Sequence, residues 1–232
     1  YGKDRRGDEM PDALATKEGR LKMLQEAKAR LETEAAAEAA KQAARIVKRE
    51  AEEAETGKKK RGRKPSKPDE KPENDAKANV TDPESRIMKT RSGYVQGYNA
   101  QAAVTEEQVI VAAEVTQECN DVGQLLPMLA KIAENLKAAG ASPDAMKAAL
   151  ADAGYWSDAN MSGAPADGPE LFVATNKDWK QRKAMREAPA PRGRIPAAMT
   201  VRERMERTLL TKHGRALYKL RGRTIEPTFG QI

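Results

Sequence analysis

Large apolar side chains are scarce in the first 80 residues of this chain and recur regularly after them, so only the later part can build a core. From Asp12 to Thr56 the sequence is dominated by Ala, Glu, Lys, Arg and Gln, the strong helix formers, with Leu21, Leu24 and Leu31 on one side and Gly57 as a stop. This composition predicts a long helix or helical hairpin over residues 1–56. Its thin apolar stripe lacks the sustained a and d positions of a coiled coil. The segment therefore reads as a helical spacer or an arm leaning on the body.

Residues 57–79 read as a linker, since Pro65, Pro68 and Pro72 break any helix and the charge density is high. Its centre, Arg61-Gly62-Arg63-Lys64-Pro65, resembles the AT-hook core, in which arginines flanking a glycine lie extended in a narrow minor groove. The inserted lysine departs from that motif. As an AT-hook or as a plain basic linker, the segment attracts phosphate through Arg61 and Arg63.

The whole chain carries 42 Lys and Arg against 35 Asp and Glu, a net +7, and its pI of about 9.4 points to an anionic partner. The excess is concentrated: residues 176–223 hold 15 basic and 4 acidic side chains, a local +11. This stretch is the expected footprint for double-stranded DNA, with Lys180, Arg182, Lys183, Arg202, Arg204 and Arg207 as candidate contacts. One cysteine, Cys119, excludes an internal disulfide framework, and no zinc-type Cys or His spacing is present. The single histidine, His213, followed by Gly214, reads as the end of a helix, so hydrolysis relayed by histidine is not expected. No run of about 18 apolar residues and no signal-peptide core is found, and the expected setting is cytoplasmic, without a membrane.

Beyond Val80 the texture becomes that of a mixed α/β layer structure. The segment "NVTDPESRIMK" supplies a first strand with Asp82 at its turn. Residues 94–105 and 108–116 read as a hairpin. Leu125, Leu126, Leu129, Ile132, Ala133 and Leu136 recur at helical spacing before Gly140. "AMKAALAD" is a fourth strand, "GYWSDANMSG" a turn and short helix, and "PELFVAT" a fifth strand. Further on, "TVRERMERTLLTKHG" reads as a helix capped by Thr200, and Glu226 falls on a final helix. Asp152 closes the strand after the crossover helix, the edge at which open α/β sheets place their chemistry. Asp121, after Asn120, reads as the N-cap of a helix over the 121–140 segment, and Glu114 as a solvent-facing strand residue.

Three acids thus stand at the edges of apolar elements: Asp82, Asp152 and Glu226. Carboxylates without histidine suit a hard divalent cation such as Mg²⁺, and paired ions can clamp both oxygens of an in-line displacement at phosphorus.

The blocks "TDPESRIMKTRSGYVQGYNAQAAV", "IVAAEVTQECNDVGQLLPML", "ADAGYWSDAN", "KDWKQRKAMRE", "PRGRIP" and "RERMERTLLTKHGRALYKLRGRTIEPTFGQI" resemble the catalytic region of bacterial insertion-sequence transposases of the DDE class, transposase IS-four-like. The resemblance covers residues 80–232. It implies an RNase H-like five-stranded mixed sheet, and Mg²⁺-dependent (or Mn²⁺-dependent) cleavage and strand transfer at element ends. The implied metal ligands are Asp82, Asp152 and Glu226; Tyr218 and Arg221, with Glu226, match a Tyr-Arg-Glu-Lys signature whose Arg contacts DNA. Partners implied are transposon ends, target DNA and a second copy in a transposition complex, in a bacterial nucleoid. A start at Tyr1 and a stop at Ile232 suggest a fragment lacking the DNA-binding segment and most of the Glu226 helix. Two further readings stay open: a truncated remnant that binds DNA without cutting it, and another RNase H-like nuclease such as a resolvase.

Overall fold

The computed structural model describes residues 11–90, 92–142, 145–176, 183, 187–196 and 198–231. The chain divides into two compact units, Tyr1–Ser85 and Arg86–Ile232.

In the first unit a short helix, α1 (Asp12–Ala15), precedes α2 (Lys17–Thr56), a single 40-residue helix rather than a hairpin. The Thr16 hydroxyl caps α2 by accepting from the Gly19 N–H, and Gly57 ends it in the left-handed conformation at φ 64°. Lys22–Glu26 and Lys28–Glu32 pairs line its exposed face at i,i+4 spacing, each worth a few tenths of a kcal/mol, about 0.2–0.5.

The second unit is mixed α/β, but its strands form three two-stranded sheets among the described residues, not the expected five-stranded one. Strand β1 (Arg86–Thr90) pairs antiparallel with β2 (Gly93–Gly97), and β3 (Asn99–Val104) with β4 (Ile110–Thr116). The expected long strand 94–105 is therefore divided at Tyr98, its first half pairing backwards and its second half forwards. Strand β5 (Ala148–Ala151) pairs parallel with β6 (Glu170–Val173), joined by α4 (Asp158–Gly163). A cavity of about 880 Å³ lies between β3 and β5, lined by Ala100, Ala102 and Ala103 on one side and Ala148, Ala149 and Ala151 on the other.

Helix α3 (Leu125–Ala138) supplies the core, burying Leu125, Met128, Leu129 and Ile132 against Ala112 and Val173. Phe172 and Val173 are wholly buried, each stabilising the fold by roughly 1.5–3 kcal/mol relative to exposure. The last two helices are α5 (Val201–Leu210) and α6 (Lys212–Gln231). Thr200 caps α5, as the sequence predicts, and Glu203 completes a reciprocal capping box with it. His213 and Gly214 open α6 instead of closing a helix, because the Thr211 hydroxyl accepts from the Gly214 N–H and starts a new turn. Gly214 is needed at this corner: a Cβ there would stand 2.0 Å from the Thr208 carbonyl oxygen. Glu226 sits on this 20-residue helix.

Candidate functional site

Strand alternation puts Asn99 and Gln101 on one face of β3, two amides in an otherwise apolar strand. Gln101 is 4 % exposed and fully engaged. Its Nε2 donates to Asn99 Oδ1 at 2.8 Å and to Asp121 Oδ1 at 2.9 Å, and its Oε1 accepts from the Tyr155 hydroxyl. Asn99 Nδ2 also donates to Asp121 Oδ1, at 2.9 Å, and to the Glu118 carbonyl. Asp121 is therefore no side-chain cap: it precedes the 3₁₀ turn Val122–Gln124 without capping it, and its carboxylate is captured by two amides instead. These neutral donors outcompete the local N–H groups because both are pre-positioned on one rigid strand.

Asp152 leaves β5 in a tight turn in which its Oδ1 accepts from the Gly154 N–H at 2.6 Å. A Cβ placed on Gly154 would stand 2.8 Å from Asp121 Oδ2 and 2.9 Å from Asp152 Oδ1. The two carboxylates thus face a common point above a bare glycine, closer together than the sum of those distances. Asn160, 8 % exposed, fixes the two loops relative to each other by donating from Nδ2 to the Val122 carbonyl at 2.6 Å and the Tyr155 carbonyl at 2.8 Å. Burial, followed by the charges of Asp121 and Asp152, pushes the Tyr155 hydroxyl up to about 12, so it remains a donor at neutral pH.

Asp152, Tyr155, Arg221 and Glu226 line the cavity between β3, β5, α3 and α6. Glu226 is exposed at its edge. The Tyr218 hydroxyl donates to the Ala151 carbonyl at 3.1 Å, tying α6 to the residue before Asp152, and the Arg221 guanidinium lies 5.9 Å from the Tyr218 ring centroid. Asp82 belongs to the first unit, half-buried in a turn whose carbonyl accepts from the Ser85 hydroxyl at 2.8 Å. The acids that converge are Asp121 and Asp152; Glu226 lines the cavity that Asp152 also lines, and Asp121 does not. Among the described residues no group of three or more His, Cys, Asp or Glu side chains gathers as a metal cage.

The donor set nevertheless suits a hard divalent ion: oxygen ligands only, two half-buried carboxylates oriented by hydrogen bonds, and a glycine that leaves the space between them open. Asp121 is the residue that sequence reasoning missed. The signal was the pair of amides at alternate positions of an apolar strand, which require a polar partner.

Of the expected DNA contacts, Lys180 and Arg182 lie outside the described residues, and Lys183 is exposed and 3.8 Å from Glu187. Arg202 donates to the Thr175 carbonyl at 2.7 Å and pairs with Glu206; Arg204 donates to the Met199 carbonyl; Arg207 donates to the Arg192 carbonyl at 2.7 Å. These three side chains brace α5, and a guanidinium retains further donors for phosphate. Arg61 and Arg63 are exposed. No protein-family model, no curated protein and no solved structure matches the chain. No helix among the described residues is long and apolar enough to cross a membrane.

Proposed function

We propose that the second unit is a metal-dependent phosphodiester-processing core of the DDE transposase type, with an RNase H-like ancestry for its β3–β4 hairpin, crossover helix and β5–β6 pair. The observation that carries this reading is the pair of carboxylates, Asp121 and Asp152, facing one point above Gly154 at the carboxyl end of a parallel strand. A divalent ion, Mg²⁺ or Mn²⁺, held by Asp121 and Asp152 supplies charge stabilisation at the phosphoryl group. The remaining roles fall to the chain itself. Asn99 and Gln101 hold Asp121 in place, Asn160 sets the spacing of the two acidic loops, and Tyr218 anchors α6, which carries Arg221 for a backbone phosphate and Glu226 as a further acid. Positioning of this kind dominates phosphoryl-transfer catalysis.

The test is nicking of a supercoiled plasmid carrying the genomic flanks of the coding sequence, in Mg²⁺ or Mn²⁺. Cleavage is expected from the parent chain, and its loss in Asp152→Asn and Asp121→Asn. Asp82→Asn and Glu226→Gln in the same assay decide whether those acids share the work. Equal cleavage with and without Asp152 overturns the reading, and salt-sensitive DNA retention without cleavage by any protein favours the binding-only remnant.

A further inference from the structure

The basic linker is not a loose tether. It runs back antiparallel along α2, held at successive points. Arg49 donates from Nη2 to the Lys60 carbonyl at 2.9 Å and from Nη1 to the Arg63 carbonyl at 3.3 Å, while its Nε bonds Glu53 Oε1 at 2.8 Å. The same Glu53 oxygen accepts from the Lys60 N–H at 2.9 Å, and Lys60 Nζ pairs with Glu52. Further back, Gln42 Nε2 donates to the carbonyl and hydroxyl of Ser66, and Arg30 donates to the Asn79 carbonyl at 2.9 Å. Helix positions 49, 42 and 30 thus hold linker positions 60–63, 66 and 79, a strap spanning about 28 Å of helix. The Arg49–Glu53 pair is well covered, at 19 % and 23 % side-chain exposure.

This arrangement sorts the charges. The α2 acids nearest the strap, Glu52 and Glu53, are consumed by Lys60 and Arg49, and these bonds hold both carboxyls below their usual range. Lys58, Lys59, Arg61, Arg63, Lys64 and Lys67 are exposed along this held segment. Residues 57–67 contain no large apolar side chain that would enter a membrane. Gly62 stands at φ 105°, inside a bend that only glycine adopts readily, so Arg61 and Arg63 do not lie on the extended ribbon that minor-groove insertion requires.

We infer that the strap is a preformed surface for the phosphate backbone of duplex DNA, one that reads charge and not A·T sequence. It is independent of the acids of the second unit. Backbone contacts position a protein on DNA without selecting sequence.

The experiment measures binding of the full chain to equal-length A·T-rich and G·C-rich duplexes by fluorescence anisotropy across a salt series. The charge variant carries Lys58→Gln, Lys59→Gln, Lys64→Gln and Lys67→Gln, and circular dichroism checks that helix content is kept. The two duplexes should bind within about twofold of each other. The log–log salt slope should fall in the variant by roughly 0.9 for each phosphate that is no longer neutralised, a drop of about two or more. The series is run in EDTA, so that no divalent ion bridges DNA to the acids of the second unit, which separates this surface from the catalytic reading. An unchanged slope in the variant overturns the proposal. So does a tenfold preference for the A·T duplex, which restores the minor-groove reading, or tighter binding to phosphatidylserine vesicles than to either duplex.

Discussion

Gly154→Ala is the sharpest probe of the carboxylate pair, because the new methyl would occupy the point that Asp121 and Asp152 both face. Gly154 is not among the glycines at positive φ, so alanine meets no backbone strain there and the conflict is purely steric. Ordinary contact begins at 3.4 Å, whereas the methyl would stand 2.8 Å from Asp121 Oδ2 and 2.9 Å from Asp152 Oδ1. Each oxygen must retreat by about half an ångström. Asp121 cannot do so without straining its bonds to Asn99 and Gln101, nor Asp152 without lengthening its 2.6 Å bond from the Gly154 N–H. A hydrogen bond to a charged group contributes about 1.5–3 kcal/mol, and losing part of two of them outweighs the roughly 0.4–1 kcal/mol that alanine gains through the unfolded chain. The net cost is about 1–2 kcal/mol, a fall in melting temperature of roughly 2–8 °C for a unit of this size. Both tryptophans, Trp156 and Trp179, fall in the sequence of the second unit, so their fluorescence reports its unfolding. A divalent ion at 100 times its dissociation constant adds about 2.7 kcal/mol of stability, and a tenfold loss of affinity removes about 1.4 of that. The parent should therefore gain stability with Mn²⁺ and Gly154→Ala should lose about half of the gain or more. Gly163→Ala is the control: its methyl would meet only Leu126 Cδ1, at 2.9 Å, and should leave the Mn²⁺ response intact. A parent without a Mn²⁺ response, or a Gly154→Ala protein with the full one, refutes the reasoning.

Phe172→Ala empties a wholly buried site and should cost about 3–5 kcal/mol by chemical denaturation. Thr200→Ala removes the α5 cap and should cost about 1 kcal/mol in the same assay. Its partner Glu203 is held below the usual carboxylate range, first by the Thr200 N–H and then by the Thr200 hydroxyl. The folded value is the lower one, so this contribution is complete above the ordinary value of about 4.3 and lost as pH falls through the folded one; the stability gap between parent and Glu203→Gln should be present at pH 7 and narrow as the pH falls below the usual carboxylate range. Gly214→Ala drives a methyl into the Thr208 carbonyl and should open the α5–α6 corner, costing roughly 1–3 kcal/mol, with loss of the Gly214–Thr211 cap bond visible as faster amide exchange at 214.

Local signals carried the legible part of this fold. The periodicity of Leu125, Leu129 and Ile132, the Thr200 cap, Gly57 as a stop and the short strands flanking α4 are all set by neighbours in sequence, and each is found. What depended on distant partners was not legible. Tyr98 divides two strands because residues 93–97 find their partner at 86–90, a choice no alternation pattern encodes. The grouping of strands into three separate pairs is likewise a choice among partners distant in sequence. His213-Gly214 looked like a helix end, yet the Thr211 hydroxyl turned the same glycine into a helix start.

The carboxylates show the same division within one site. Asp152 at a strand end was legible because its partner, the Gly154 N–H, is two residues away. Asp121 was misread as a cap because its partners, Asn99 and Gln101, lie 22 and 20 residues upstream. Once those amides take Oδ1, the geometry of the carboxylate leaves Oδ2 turned toward Gly154, and the orientation follows from strand alternation rather than from the helix it precedes. Gln101 is the pivot, since it spends its amide protons on Asn99 and Asp121 and its oxygen on Tyr155. A glutamate at this position would place a second buried charge against Asp121 and force it away or protonate one of the two, at a cost of several kcal/mol. The site therefore depends on a neutral residue to keep two charged ones together.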